Sequence, residues 1–162
     1  MFEIKTILCA VDFSDNMNQI IITALKEAQV HDASVHVLHV LPSPDMSMAM
    51  QMATVLGDEK YRELIKEHKV ELEANIRTRI DELRGTMTGS LEGAAGRISA
   101  VYITEGDPVI EILNRTLSLK ADMLVMGTHT RGMVEHTFFG NVARKVLKRS
   151  RVPVLAVPPV KE

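Results

Sequence analysis

Polar and glycine residues follow two apolar segments that have the length of buried strands. Asp12 comes directly after the first segment, and Gly127 comes directly after the second. Gly132 and Gly140 continue the second region and lead to a helical pattern that begins near Asn141. Glycines allow backbone N–H groups to approach phosphate oxygens, and a helix N-terminus adds partial positive charge. The sequence therefore predicts an anion-binding loop beside Asp12, whose carboxylate can accept hydrogen bonds from a ribose hydroxyl or an amino group.

The glycine spacing also has a purely structural interpretation. Glycines are common where a turn needs a positive φ angle, and their spacing alone does not separate the two cases. Two side chains in the same loop are candidate phosphate contacts: Arg131 can neutralise a triphosphate, and His129 can contact a phosphate when protonated. A solvent-facing loop histidine remains the plainer interpretation of His129.

Other phosphate-binding motifs are missing from the sequence. No GxGxxG follows the first apolar segment, and Gly-Lys-Ser/Thr does not occur. A receiver domain of the response-regulator class needs two acids after its first strand and a lysine after its fifth. Here Asp12 stands alone, and the last apolar segment runs into Pro158 and Pro159. A phosphoacceptor function is therefore not expected.

A methionine-rich segment and six histidines are the candidates for metal binding. Thioethers that alternate in DMSMAMQM are potential ligands for Cu(I), namely Met46, Met48, Met50 and Met52. A pliable apolar lid or dimer-packing segment is favoured instead, because no cysteine or histidine clusters beside them. The histidines show no local zinc-site spacing, and His36 and His39 should point to opposite faces of a strand. We expect no metal site, and we expect Cys9 to be a buried, small apolar residue.

Five short apolar segments predict strands covered on both faces, as in a parallel sheet. They are Thr6–Val11, Val35–Leu41, Ile98–Ile103, Ala121–Met126 and Val154–Val157. Helical apolar spacing lies between them, which gives the order β-α-β-α-β-α-β-α-β. Alternation of this kind predicts right-handed crossovers and an α/β three-layer sandwich. In such sheets ligands bind outside the carboxyl ends of the strands, where the strand order reverses.

The helices show start and stop signals. Ser14 or Asp15 can cap the first helix, and Gly106-Asp107-Pro108 supplies a turn, an N-cap and a first-turn proline for another. A long, mixed-charge helix should end near Gly85. Two segments break the pattern: Ser43–Leu56 is expected to be a loop or lid, and Gly85–Gly96 a flexible connection.

The composition limits the class of protein. The 162 residues suit one domain over 1–162, and 46% hydrophobic residues are enough for a core. A formal net charge of −2 and 4% aromatic residues argue against a nucleic-acid partner. One cysteine fits a reducing compartment. With no signal-peptide pattern and no apolar run of membrane-spanning length, we expect a cytoplasmic protein without membrane contact.

Most of the chain resembles the universal stress protein family. The resemblance rests on ILCAVDFSD, VHVLHV, EGDPVIEIL and the long final block from ADMLVMGTHTRG to VLAVPP. It implies an adenine-nucleotide alpha-hydrolase-like fold with a five-stranded parallel sheet in the order 3-2-1-4-5. It also implies ATP, with Mg possible, as a ligand held without a catalytic base. The matching positions are Asp12, Val40, Met126, Gly127, Gly140, Asn141 and Val142, and the candidate site adds Val11, His129, Arg131 and Gly132.

Two residues differ from the family's nucleotide-binding loop. Thr130 stands where its second glycine is expected, and Asn141 stands where Ser or Thr is expected. Three functions therefore remain open: a nucleotide-responsive stress module that signals through a protein partner, a dimeric stress scaffold that has lost nucleotide binding, and a slow ATP hydrolase. The last lacks a well-placed general base.

The last apolar segment predicts a homodimer. Val152–Val157 should form an edge strand, and an exposed apolar edge is a liability unless it is paired. Pairing with its own copy across a two-fold axis would cover it, and the family resemblance implies the same assembly.

Overall fold

The protein forms a five-stranded parallel sheet between two helical layers. The structure is a computed structural model, and it describes residues 2–129 and 140–160. The strands are β1 (Thr6–Ala10), β2 (Ser34–Pro42), β3 (Ile98–Gly106), β4 (Met123–Gly127) and β5 (Val154–Val157). Their spatial order is β3-β2-β1-β4-β5, and every neighbouring pair is parallel. The predicted α/β sandwich with the order 3-2-1-4-5 is confirmed.

Within residues 2–129 and 140–160, five α-helices accompany the strands. They are α1 (Met17–His31), α2 (Met46–Leu56), α3 (Asp58–Thr86), α4 (Pro108–Ser118) and α5 (Asn141–Arg149). No helix of the described residues is long and apolar enough to cross a membrane.

Side-chain alternation along the central strand creates two separate cores. Ile7 and Cys9 of β1 point to the face covered by α1 and the C-terminal half of α3. Leu8 and Ala10 point to the opposite face, where α4 and α5 pack. The three inner strands, β1, β2 and β4, contribute buried residues to both faces, which explains why their sequences are nearly continuous apolar runs.

The boundaries of four strands differ from those predicted, and β2 is longer than expected by one residue at each end. β1 ends at Ala10, although the N–H of Val11 still donates to the Leu38 carbonyl at 2.8 Å. β4 begins two residues later than expected and extends to Gly127, and β3 continues to Gly106. β3 is longer because its more polar end still pairs with the end of β2.

The predicted cap of α1 is wrong. The N-cap residue is Asn16, and no side chain forms a capping hydrogen bond there. The Ser14 carbonyl, rather than its hydroxyl, accepts from the Met17 N–H at 3.1 Å. At α4 the prediction is confirmed: Asp107 accepts from the Ile110 N–H at 3.0 Å, with Pro108 in the first turn.

The two irregular segments are more ordered than predicted. The loop expected over Ser43–Leu56 is wrong, because α2 occupies most of it, with Asp45 accepting from the Met48 N–H at 2.8 Å. No residue of α2 is buried, so the helix has no apolar periodicity that its sequence could reveal. The expected flexible connection contains two 3₁₀ turns, Gly89–Leu91 and Ala94–Arg97, and Ala94 lies in the core.

Candidate functional site

A pocket of about 250 Å³ opens at the carboxyl ends of β1, β2 and β4. It lies at the reversal of strand order, because β2 and β4 flank β1 on opposite sides. This is the position at which open parallel sheets bind ligands. The volume is slightly below the roughly 300–1,000 Å³ of typical small-molecule sites. The residues that line the pocket come from all three strand ends, from the N-terminal parts of α4 and α5, and from α1 at Ile20.

The pocket floor is an apolar slot with a small residue at its centre. Ala10 of β1 is in register with Leu38 of β2 on one side and Met126 of β4 on the other. Since the alanine is flanked by two large side chains, the surface is concave at the central strand. Val40 and Ile112 extend the apolar wall. The slot has the character of a site for a flat, largely apolar ring.

Both backbone polar groups of Val11 form hydrogen bonds with β2. Its N–H donates to the Leu38 carbonyl at 2.8 Å, and its carbonyl lies 2.9 Å from Nδ1 of His39. A carbonyl oxygen can only accept, so His39 is the donor in this hydrogen bond. The next residue, Asp12, reaches the pocket rim, and its Oδ1 accepts from the Ser14 N–H at 3.1 Å. Asp12 is therefore an anchored carboxylate with remaining acceptor capacity.

Gly127 is explained by packing against α1. A Cβ at this position would lie 2.9 Å from Cδ1 of Ile20, and the residue is not in the left-handed region. The close approach of helix and strand therefore disfavours a side chain here, because the end of Ile20 would have to shift. Neither a positive φ angle nor a phosphate ligand is needed to account for it.

Gly140 and the first turn of α5 also line the pocket. The Gly140 N–H donates to the Thr128 carbonyl at 2.7 Å, so this amide is already used. Helix geometry leaves the N–H groups of Asn141, Val142 and Ala143 without intrahelical partners. The Asn141 side chain accepts from Arg144 at 2.9 Å. Backbone amides after Gly140, rather than Gly140 itself, are thus the available anion donors.

The structure brings together most of the predicted site residues it describes. Those that line the pocket are Val11, Asp12, Val40, Met126, Gly127, His129, Gly140 and Val142. Asn141 is exposed at the start of α5 and is not among the lining residues. Arg131, Gly132 and the divergent Thr130 lie outside the described residues.

Several lining residues were not predicted from the sequence. His39 and Thr128 are polar, and Pro42, Pro108 and Ile112 are apolar. Alternation along β2 was a usable signal for Pro42, which shares a face with Leu38 and Val40. His129 Nδ1 lies 2.7 Å from Oγ1 of Thr128, and the histidine is partly buried rather than fully solvent-facing.

The loop between β1 and α1 contains two buried polar atoms without hydrogen-bond partners in the described structure, Ser14 Oγ and Asn16 Oδ1. An unsatisfied buried group costs on the order of 1–3 kcal/mol. The amide of Asn16 is used, since Nδ2 donates at 3.3 Å to the carbonyls of Val157 and Pro158. The Val157 carbonyl also accepts from the Thr128 N–H at 3.1 Å, which connects this loop and the end of β4 to β5.

Metal binding finds no support among the residues that the structure describes. They contain no group of three or more His, Cys, Asp and Glu side chains suited to a metal ion. The alternating methionines lie on a helix, where residues two apart point in nearly opposite directions, so the four thioethers do not all face one copper ion. His36 contacts Tyr102 at 3.1 Å and His39 contacts Phe13, and these partners belong to opposite faces of the sheet.

Comparison with known proteins identifies the family. The model of the universal stress protein family matches residues 3–158. The chain belongs to this family. A relative from Thermus aquaticus, named a universal stress protein, is 32% identical over 154 residues, which cover 94% of this chain and 98% of the relative. The stress response protein NhaX of Bacillus subtilis is 26% identical over an alignment of 170 residues, which covers 97% of this chain and 99% of that one.

Solved structures support the same fold. MJ0577 of Methanocaldococcus jannaschii superposes with a TM-score of 0.71 at 22% identity, covering 98% of both chains. A universal stress protein solved in complex with cAMP superposes with a TM-score of 0.57 at 18% identity, covering 96% of this chain and 98% of that one. The universal stress protein fold is thus shared across nearly the whole chain.

Proposed function

We propose that this universal stress protein binds ATP or another adenine nucleotide in the pocket at the ends of β1, β2 and β4. One observation carries the proposal: the anchored carboxylate of Asp12 and the amide-rich start of α5 line the same pocket as the Leu38–Ala10–Met126 slot. The slot suits a purine ring, the carboxylate suits hydroxyl or amino hydrogens, and the helix start suits phosphate.

The pocket residues fit a nucleotide better than they fit a magnesium cage. Among the described lining residues, Asp12 is the one that carries a carboxylate. Magnesium commonly needs one or two carboxylates together with water and substrate phosphates. If Mg accompanies ATP here, the phosphates themselves supply much of its coordination. The complex of a structural relative with cAMP is consistent with an adenine nucleotide in this fold.

Titration calorimetry with Mg-ATP tests the proposal. The parent chain should bind, Asp12→Asn should weaken binding at least tenfold, and Ala10→Leu should abolish it by filling the slot. Asp15→Asn is the matched control, because Asp15 is an exposed acid of the same loop outside the lining residues. Absence of binding by the parent, with no nucleotide retained through purification, would exclude this function.

A second function is favoured by the hydrogen bond from Gly140 to Thr128. Because this amide is already occupied, the loop has one phosphate donor fewer than its glycine suggests. In the second proposal the chain is a dimeric stress scaffold that does not bind nucleotide, consistent with Thr130 and Asn141 at the divergent positions. A T130G/N141S double variant should then gain ATP binding that the parent lacks. Equal binding by both proteins would reject the scaffold.

The proposed assembly is a homodimer through Val152–Val157, which includes β5. β5 is an edge of the sheet, and Val154, Leu155 and Ala156 remain partly exposed. The carbonyls of Pro153 and Val157 face β4, so by alternation the backbone groups of Val154 and Ala156 face outward. Ala156→Pro removes an outward N–H without removing a bond to β4. It should convert a dimeric mass in light scattering to a monomeric one, and a monomeric parent would refute the assembly.

The biological role that follows is a nucleotide-responsive module in the cytoplasm. Bound nucleotide would change the surface offered to a protein partner, whose identity the pocket does not specify. We propose that the partner is a protein, and that the chain binds neither nucleic acid nor membranes. Affinity capture in the presence and absence of ATP, with Asp12→Asn as the control bait, tests this coupling. A partner retained equally under all three conditions would contradict it.

A further inference from the structure

We infer that His39 is a positioning residue that fixes the direction of the Asp12 carboxylate by holding the residues on either side of it. The inference rests on the proposed nucleotide site and adds to it a residue that forms no direct hydrogen bond with Asp12 in the described structure. His39 lies on β2, whereas Asp12 follows β1.

The contacts of His39 bracket Asp12 along the chain. On one side, Nδ1 of His39 donates to the Val11 carbonyl at 2.9 Å. On the other, the imidazole meets the Phe13 ring edge-on, with centroids 4.9 Å apart and an interplanar angle of 68°. One side chain of the neighbouring strand therefore contacts both residues adjacent to the carboxylate.

The strand ladder alone would not hold this segment. β1 ends at Ala10, and the last backbone contact with β2 is the Val11 N–H to the Leu38 carbonyl at 2.8 Å. The His39 hydrogen bond to the Val11 carbonyl adds one more connection between this segment and β2, beyond the end of β1. Downstream, Oδ1 of Asp12 accepts from the Ser14 N–H at 3.1 Å, which sets the rotation of the carboxylate relative to the backbone. Backbone direction and side-chain rotation are thus fixed by separate bonds.

The hydrogen bond also determines the tautomer of His39. Because the Val11 carbonyl can only accept, the proton must be on Nδ1. The other ring nitrogen, Nε2, is then an acceptor when the imidazole is neutral, and His39 lines the pocket. This tautomer is an observable consequence that does not depend on any nucleotide.

A double-mutant cycle with ATP separates positioning from general structural support. The variants are Asp12→Asn, His39→Leu, their combination, and His39→Asn, whose Nδ2 can donate from the place of Nδ1. His39→Leu should weaken ATP binding at least fivefold in the parent and by less than twofold in the Asp12→Asn background. His39→Asn should restore most of the affinity. Equal weakening by His39→Leu in both backgrounds, or no weakening in the parent, would overturn the inference.

A measurement on the ligand-free protein keeps the inference testable if the parent does not bind ATP. Long-range ¹H–¹⁵N spectra at pH 8.5 should show the Nδ1–H tautomer of His39 in the parent. Amide exchange at Ser14 should be at least fivefold faster in His39→Leu than in the parent or in His39→Asn. The Nε2–H tautomer, or unchanged Ser14 exchange, would overturn the positioning role, whereas failure of ATP binding alone would reject only the proposed function.

Discussion

Gly127 and Ile20 approach so closely that a methyl group on the glycine would lie 2.9 Å from Cδ1 of the isoleucine. Both residues belong to the pocket lining, since β4 and α1 meet beside the end of β1. Gly127→Ala should therefore destabilise the fold by about 1–3 kcal/mol, the usual cost of overpacking a core. Urea unfolding followed by circular dichroism measures this change.

A compensating variant and a matched control support that interpretation. Ile20→Val removes the clashing Cδ1, so the double variant should be more stable than the sum of the two single changes predicts. Gly85→Ala is the control, because this glycine is within α3 and has no atom within 4 Å of the added Cβ. It should stabilise the protein by up to about 1 kcal/mol. Additive effects of the first pair would contradict the proposed contact.

Ser14→Ala should leave stability unchanged or raise it by up to about 1 kcal/mol, because the replaced hydroxyl is buried without a hydrogen-bond partner in the described structure. The backbone hydrogen bond from Ser14 to Asp12 is retained in this variant. Ser34→Ala is the comparison, since that hydroxyl donates to the Lys5 carbonyl at 3.3 Å. A larger loss of stability for Ser14→Ala than for Ser34→Ala would refute the prediction.

The thiol of Cys9 should not react with alkylating reagents while the protein is folded. Complete burial raises its pKa to about 12, so the reactive thiolate is scarce at pH 8. Iodoacetamide labelling, followed by mass spectrometry, should proceed in denaturant and be negligible in native buffer. Within the folded range, the small native rate should rise about tenfold for each pH unit. Fast labelling at pH 8 without unfolding would show that the strand opens locally.

The methionines of α2 should be the first to be oxidised by hydrogen peroxide. Met46 and Met50 are 80% and 65% exposed, whereas Met17 and Met126 are 1% and 5% exposed. Since peroxide oxidation follows the exposure of the thioether, sulfoxide should form at the first pair well before the second. Peptide mass spectrometry over a time course gives the order. Equal rates at Met46 and Met17 would contradict the exposed position of the helix.

His36 should make stability depend on pH in the acidic range. Burial and, secondarily, the nearby Arg115 lower the pKa of this histidine below its usual 6.5. The unfolded chain therefore binds the proton more readily than the folded one. The stabilising contribution is complete above about pH 6.5 and is lost as the pH falls towards the lowered value. The free energy of unfolding of the parent minus that of His36→Gln, measured in urea, should decrease as the pH falls. A difference that does not change with pH would refute this prediction.

The sheet could be predicted because its strands are buried on both faces. The apolar run from Thr6 shows this directly, and the turn, cap and proline at Gly106–Pro108 marked the start of a helix. The adjacency of β1 and β4 predicted that Asp12 and Gly140 would line the same pocket. These signals are local, or they follow from the rules of parallel sheets, and so a single sequence contains them.

What the sequence did not reveal depends on exposure or on long-range contacts. α2 has no buried face, so its helical state left no periodic pattern. Gly127 looked like a loop glycine, whereas in the structure it packs closely against Ile20, which lies more than a hundred residues earlier in the chain. The hydrogen bond of His39 to Val11 joins two strands at a point that strand alternation alone does not identify.

The Val157 carbonyl joins the edge strand β5 to two other parts of the fold. It is the common acceptor for the Thr128 backbone, which lines the pocket, and for the side chain of Asn16 in the loop between β1 and α1. An outward pull on the strand must stretch both attachments together. A displacement of β5 must therefore also disturb the end of β4 and the loop between β1 and α1, which these bonds join to it.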